Sequence, residues 1–326
     1  MKRLLVTGSS GYLGSVLVQH YRERGVRVLG VDLREPAGPA PDQFVTADIC
    51  NPGLSDLFRR LAPDSVIHAA YLLDPNADEA TAHRVNVSGT ENVLHAVAAV
   101  RPERLLVVSS ATAYGAWPDN PRPLYEDRPL RSRGGFRYAA DKVVIERLAA
   151  GFADRHKDIA VSCVRPAIIG GPRMDNYLKR VIFEMPFLVK LDGFDQLLQF
   201  VHEEDVAGAI EAILASDGRG AYNIAPPDAI TLSAIAAATR RRAIPVPFWI
   251  ARMCHGLTGL FRLPIAETHR NFLYFVRYPW VVSPDRLIRE TGYAFRFNSE
   301  ETMHAILGIG GDGAKKRPGA WFGESR

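Results

Sequence analysis

Lys2-Arg3-Leu4-Leu5-Val6-Thr7 runs directly into Gly8-Ser9-Ser10-Gly11-Tyr12-Leu13-Gly14, and this junction decides the fold. The first six residues are an apolar run of strand length. The glycines break it, and a helical pattern follows to about Arg24. A second apolar run, Val26-Arg27-Val28-Leu29-Gly30-Val31, ends on Asp32. Strand, glycine turn, helix, strand and acid is the order a dinucleotide site requires. Gly8 permits the tight turn, Gly11 lets the backbone approach a pyrophosphate, and Gly14 lets helix and strand pack closely. The phosphates then meet unpaired N–H groups at the helix N-terminus. Asp32, eighteen residues after Gly14, is placed to accept hydrogen bonds from the adenosine ribose hydroxyls. The spacing is G-x-x-G-x-x-G, so the glycines count only together with the strand, helix and acid around them.

The chain has 326 residues, room for one large or two medium domains and a substantial core. Its 47% hydrophobic and 23% charged content is that of an ordinary soluble globular protein. The net charge of +4 rests on 33 arginines against 7 lysines. Only Arg240-Arg241-Arg242 and Lys315-Lys316-Arg317 cluster, too little for a nucleic-acid stripe. Three cysteines, Cys50, Cys163 and Cys254, have no paired spacing, which excludes a disulfide framework and a zinc knuckle; no metal site is expected. The apolar run after Lys2-Arg3 is too short for a signal peptide. Ile244 to Leu263 is interrupted by Arg252 and His255 and does not read as a membrane span. A cytoplasmic protein without membrane or nucleic-acid partners is expected.

Strand and helix patterns alternate through the first half, which predicts a doubly wound parallel sheet of the α/β class. Strands are expected at Phe44 to Ala47, Ser65 to His68, Leu105 to Val108 and Ile159 to Val164. Helices are expected at Gly53 to Leu61, Asp78 to Val100 and Phe136 to His156, with a proline-rich loop from Trp117 to Pro129. Further on, Leu197 to Val201 reads as a strand, Glu203 to Ala215 as a helix and Ala221 to Ile224 as the last sheet strand. Thr231 to Arg242, Pro247 to Phe261 and Pro284 to Glu290 read as helices of a smaller domain. The glycine-rich tail from Gly308 to Arg326 reads as flexible.

Tyr138-Ala139-Ala140-Asp141-Lys142 places a phenol and an ammonium at i and i+4 on one helix face. A phenol titrates near 10 and must drop about three units, roughly 4 kcal/mol, to exchange protons at neutral pH. A cation at about 4–5 Å, at an effective dielectric near 20, supplies energy of that order. Lys142 is therefore expected to hold Tyr138 partly as phenolate, a base for an alcohol or an acid for a carbonyl. Ser110 ends an apolar strand where open α/β sheets place their ligand crevice, and its hydroxyl can steady a substrate oxygen.

With these residues in place, the chain resembles an extended short-chain dehydrogenase/reductase of the NAD-dependent epimerase/dehydratase family. The matching segments are Thr7 to Gly14, Asp48-Ile49, His68-Ala69-Ala70, Asn86 to Asn92, Ser109 to Gly115, Tyr138 to Lys142, Val164-Arg165-Pro166 with Gly170-Gly171-Pro172, and Phe200 to Val206. The resemblance implies a Rossmann domain over residues 1–165 with about 197–225. It also implies a smaller, mainly helical C-terminal substrate domain over 166–196 with about 226–307, followed by the tail 308–326. It implies a catalytic trio in which Tyr138 is the acid/base, Lys142 its activator and ribose ligand, and Ser110 the substrate anchor. Gly8, Ser10, Gly11, Tyr12, Leu13 and Gly14 would contact the cofactor, Asp32 its ribose, and Asp48 with Ile49 its adenine edge. Ala69, Ala70, Ser109 and Pro166 would line the rest. Asn86 and His202 would be architectural, and pairing of the helices near 78–100 and 136–156 would give a homodimer.

An acid at Asp32 repels a 2′-phosphate and favours NAD over NADP, although Arg34 could face such a phosphate. The match to nucleotide-sugar enzymes is less faithful. Ala167 stands where such epimerases often carry asparagine, and Gln196-Leu197-Leu198-Gln199 holds no cation where they usually place a diphosphate-binding arginine. Arg173, Lys179, Arg180 and Lys190 are possible substitutes. Phe183, Met185, Phe187, Leu188, Trp249, Phe272, Tyr274 and Phe275 suggest an apolar substrate side. The first reading is thus an NAD-dependent oxidoreductase acting on a secondary alcohol or ketone of an apolar small molecule. The second is an epimerase or dehydratase resembling UDP-sugar 4-epimerases with tightly bound NAD, and the third a non-catalytic NAD-binding protein.

Overall fold

A computed structural model describes residues 1–73, 78–133, 135–255 and 270–309. The first half runs β1 (Arg3–Thr7), α1 (Tyr12–Arg22), β2 (Arg27–Asp32), β3 (Gln43–Thr46), α2 (Leu54–Leu61), β4 (Ser65–His68), α3 (Glu79–His83), α4 (Gly89–Val100), β5 (Arg104–Val108), α5 (Arg137–Arg155) and β6 (Ala160–Pro166). The second half runs β7 (Ile168–Gly170), α6 (Tyr177–Lys179), β8 (Phe187–Leu191), β9 (Leu197–Leu198), β10 (Phe200–His202), α7 (Glu203–Ala215), β11 (Gly220–Ile224), β12 (Ile230–Thr231), α8 (Leu232–Ala238) and β13 (Arg242–Val246). Helices α9 (Phe248–His255), α10 (Leu273–Arg277), α11 (Asp285–Thr291) and α12 (Ser299–Leu307) complete it.

Seven parallel strands form the main sheet in the order β11-β6-β5-β4-β1-β2-β3. Successive side chains of β1 separate to opposite faces, as a strand requires. Leu4 and Val6 enter one core cluster and Leu5 the other. The first cluster continues without a break into Phe275, Trp280 and Met303 of the C-terminal part. The chain reverses direction across the sheet between β1 and β4, so the crevice outside their carboxyl ends is the switch point where doubly wound folds bind ligands.

Several expectations need correction. The expected helix from Asp78 to Val100 is α3 and α4 joined by a wider, π-type turn at Arg84–Ser88. Within that turn Asn86 accepts a hydrogen bond from the Leu72 amide at 2.7 Å and donates to the Leu72 carbonyl at 3.3 Å. The single strand Leu197 to Val201 is two, β9 pairing with β12 and β10 with β7. The helix expected to reach Arg242 ends at Ala238. Arg240 then turns at φ 53°, and Arg242–Val246 pairs in parallel with β8. Pro245 lies beyond the helix expected to Arg242 and sits in a two-stranded pair, where both strands are edges and proline is tolerated. The C-terminal part is mainly helical, as expected, with the short pairs β8–β13 and β9–β12 added and α10 and α12 unforeseen. Residues 256–261 of the helix expected from Pro247, and the tail from 310, lie outside the described residues. No helix among the described residues is long and apolar enough to cross a membrane.

The glycine turn predicts its own sensitivity. A Cβ on Gly14 would collide with the Gly8 carbonyl, a backbone atom that cannot step aside. Gly14→Ala should lower stability by about 1–3 kcal/mol, read from the denaturant midpoint. An unchanged midpoint would mean that α1 does not need this approach.

Candidate active site

The glycine turn sits at the carboxyl end of β1, pressed against the end of β4. Gly8 has φ +72°, and a Cβ there would lie 2.6 Å from the Ala70 Cα and nitrogen. Gly11 caps α1 without any side-chain cap, so the first-turn N–H groups of the helix are left to a ligand. Asp32 braces this turn: its carboxylate accepts from the Ser10 amide at 3.0 Å and the Arg34 amide at 3.1 Å. The Ser10 hydroxyl donates to the Arg34 carbonyl at 2.6 Å. Asp48 accepts from the Cys50 amide at 2.8 Å, and Asn92 donates to the carbonyl of buried Ile49 at 2.6 Å. The result is an open cradle of amides with an acid beside it, the shape and polarity a dinucleotide needs.

One cavity of about 530 Å³ begins at this cradle. Its wall includes Gly8, Gly11, Tyr12, Leu13, Gly14, Ala69, Ser109, Ser110, Tyr138, Lys142 and Pro166. Ser10, Asp32, Asp48, Ile49 and Ala70 lie off that wall. The three residues expected to be catalytic thus meet at one place, brought by the end of β5 and the first turns of α5. Ser110 accepts from the Thr112 amide at 3.2 Å and from the Thr112 hydroxyl at 3.0 Å. Tyr138 packs edge-on to Tyr71, with ring centres 5.3 Å apart.

Lys142 does not do what its spacing suggests. It is buried, its ammonium donates to the Val108 carbonyl at 2.9 Å, and it lies 4.0 Å from the Tyr71 ring centre but 5.8 Å from that of Tyr138. Burial pushes Lys142 down to about 7, against the pull of Glu146 and Asp141. Burial also raises the Tyr138 phenol above its ordinary value, opposed by a hydrogen bond with Ser110. Desolvation thus disfavours the charged form of both groups, and the hydrogen bond that opposes it at the phenol is the one with Ser110.

Behind the trio lies a network that the sequence reading missed. Ser109 donates to Glu146 at 2.5 Å, and Glu146 receives Arg165 at 2.7–3.0 Å with both side chains buried. Arg165 also donates to the Tyr114 hydroxyl at 2.6 Å, which donates on to Asn223 at 2.9 Å. The signal was present, since Glu146 continues the Tyr138, Lys142 stripe by another four residues. His68 is held neutral, pushed down to about 3 by burial between the Thr7 and Thr90 hydroxyls at 2.7 and 2.9 Å. His202 caps α7 by accepting from the Glu204 amide at 3.2 Å and stacks on Phe297, an architectural position.

Beyond the trio the cavity is largely apolar, walled by Met185, Phe187, Leu188, Phe272 and Phe275 among others, with Asn176, Tyr177 and Tyr71 as its polar exceptions. Trp249 is exposed, Tyr274 stacks on the Arg133 guanidinium, and Phe183 is buried off the wall. Among the described residues no arginine lines the cavity, and Lys142 is its one lysine. Arg173 is turned to Glu203 at 2.8 Å, where Tyr12 also donates at 2.5 Å. Lys190 binds Ser233 at 3.0 Å and pairs with Asp195 at 3.6 Å; Lys179 and Arg180 lie off the wall. Gln196 and Gln199 are buried and donate to loop carbonyls at 2.5 and 2.7 Å. Ala167 lines the wall. No cluster of three or more histidine, cysteine or acidic side chains suited to a metal occurs among the described residues.

The model of the NAD dependent epimerase/dehydratase family matches residues 4–225, the segment that builds the sheet, the cradle and the trio. The chain belongs to this family. It is accordingly an NAD-dependent enzyme, and the amide cradle with Asp32 suits that cofactor. An uncharacterized protein of Mycobacterium tuberculosis is 29% identical over 318 residues, 93% of this chain and 82% of that one. A 4-hydroxy-2-methyl-3-oxo-4-farnesyl-3,4-dihydroquinoline-1-oxide ketoreductase of Stigmatella aurantiaca is 29% identical over 341 residues, 96% and 98% of the two chains. The crystal structure of Thermus thermophilus UDP-glucose 4-epimerase in complex with NAD shares the fold, with a TM-score of 0.72 at 24% identity over 94% of this chain and 98% of that one.

Lys142 makes the pH dependence of this epimerase/dehydratase-family chain testable. Its folded-state pKa of about 7 lies below the ordinary 10.5, so between those values the unfolded chain binds the extra proton. Stability therefore rises with pH across that window. In thermal unfolding without added nucleotide, the Tm of wild type minus that of Lys142→Met should rise from pH 7 to about pH 10. Parallel curves would show that Lys142 is not desolvated.

Proposed function

We propose that this chain interconverts a ketone and a secondary alcohol on an apolar small molecule, with NAD as the redox partner. The observation that carries this reading is the cavity itself. It joins the amide cradle to Ser110, Tyr138 and Lys142 and then to a chamber that, among the described residues, is largely apolar and holds no arginine. A nucleotide sugar brings a diphosphate, and burying that charge without paired cations is costly. The full-length likeness to the Stigmatella ketoreductase, named for a farnesyl-bearing ketone, supports the same chemistry; the epimerase likeness supports the fold.

Gly8, Ser10, Gly11, Tyr12, Leu13 and Gly14 would hold the pyrophosphate, Asp32 the adenosine ribose, and Asp48 with Ile49 the adenine edge. Ala69, Ala70, Ser109 and Pro166 would flank the remainder, and Lys142 would reach the second ribose. When bound, NAD supplies the hydride acceptor for alcohol oxidation and, reduced, the donor for the reverse. Ser110 holds the substrate oxygen by a hydrogen bond. Tyr138 takes the hydroxyl proton during oxidation and returns a proton to that oxygen during reduction. Lys142, protonated, lowers the cost of the tyrosinate through the field it adds beside the ring. The apolar walls exclude water, which strengthens each of these interactions.

Tyr138→Phe removes the proton-transfer group and little else. Turnover, followed by nicotinamide absorbance with apolar ketones and alcohols, should fall at least about 100-fold while NAD affinity stays near wild type. Activity within tenfold of wild type would remove Tyr138 from this role.

A further inference from the structure

The far end of the cavity is built by parts of the chain that contribute nothing to the cradle or the trio. Leu188 and Leu191 come from β8, Leu232 from α8, Val246 from β13, and Ile250 with Cys254 from α9. Helix α9 presents Ile250 and Cys254, four residues apart, to the cavity. Trp249 and Met253, also four apart, are 64% and 68% exposed on the adjoining face. Cys254 lines the cavity and is itself exposed, so its thiol reports on this end of the chamber. The polar groups that a reacting carbonyl needs are all at the other end.

We infer that this chamber is a binding site for a long, flexible hydrocarbon tail, so that the substrate is a lipid-like ketone or alcohol with its oxygen at Tyr138 and its tail running toward α9. The inference rests on the alcohol/ketone reading and goes further, because a compact apolar substrate would leave the distal walls facing water. Apolar surface is stabilised when it leaves water in proportion to its area. A tail that covers Leu188, Leu191, Leu232 and Val246 therefore adds affinity that no group near Tyr138 can supply. Length, not head-group chemistry, becomes the main determinant of specificity.

A series of methyl ketones from about four to about fourteen carbons tests this with the full chain, NADH and absorbance; kcat/KM should climb by up to about fourfold per added methylene and then level off where the tail reaches α9. Ala251→Trp, which fills the wall beside Ile250, should move that levelling point to a shorter chain. Cys254 gives a readout independent of turnover. A long-chain secondary alcohol at about four times its dissociation constant should slow N-ethylmaleimide labelling of Cys254 about fivefold, read by mass spectrometry, whereas a short alcohol should not. Short ketones turned over with kcat/KM flat along the series would overturn the tail site and leave the redox reading standing. If no ketone of any length reacts, the redox reading fails. The labelling then decides the chamber alone: protection graded by length upholds it, and equal labelling with long and short alcohols overturns it.

Discussion

The buried ion pair between Arg165 and Glu146 is the interaction on which the site depends. Arg165 is the penultimate residue of β6 and Glu146 lies in α5, so the pair fixes the rotation of that helix against the sheet. Tyr138, Lys142 and Glu146 follow one another at four-residue intervals, and the rotation that seats Glu146 on Arg165 turns the other two toward the cavity. Ser109, donating to the same carboxylate, ties in the end of β5 and with it Ser110. Removing one partner of such a pair leaves an uncompensated buried charge, typically a loss of about 3–5 kcal/mol. The same pair thus serves both the fold and the geometry of the trio.

The cavity divides by polarity in a way that follows from topology. Its polar end is assembled at the carboxyl ends of β1, β4 and β5, where the sheet reverses direction and helix N-termini leave amides free. Its apolar end is assembled from β8 and β13, which pair with each other, and from α9, all short and all bringing aliphatic side chains. Cations nearby are engaged elsewhere, Arg173 with Glu203 and Lys190 with Asp195. Among the described residues, the cavity's one cationic side chain, Lys142, is therefore at the cofactor end.

Much of this was legible in the sequence because it depends on local rules. The glycine turn, the strand endings and the i, i+4 spacing of Tyr138 and Lys142 are fixed locally, and the structure brings Gly8, Ser110, Tyr138 and Lys142 to one cavity wall. What was not legible depends on distant partners. Lys142 turns to the Val108 carbonyl, thirty-four residues away in sequence, so its distance from the phenol could not be read from helix periodicity. Arg173 resembled a free cation until Glu203 was folded against it. Arg242–Val246 became a strand because β8 lay beside it, a partner some fifty residues earlier that local pattern does not reveal.

The central claim, that the substrate side takes an apolar molecule and not a nucleotide sugar, is tested most directly by titrating the NAD-loaded protein with UDP and UDP-sugars in a calorimeter. Each missing charge-assisted hydrogen bond forfeits about 1.5–3 kcal/mol, so binding should be in the millimolar range or undetectable. Micromolar binding would contradict the account.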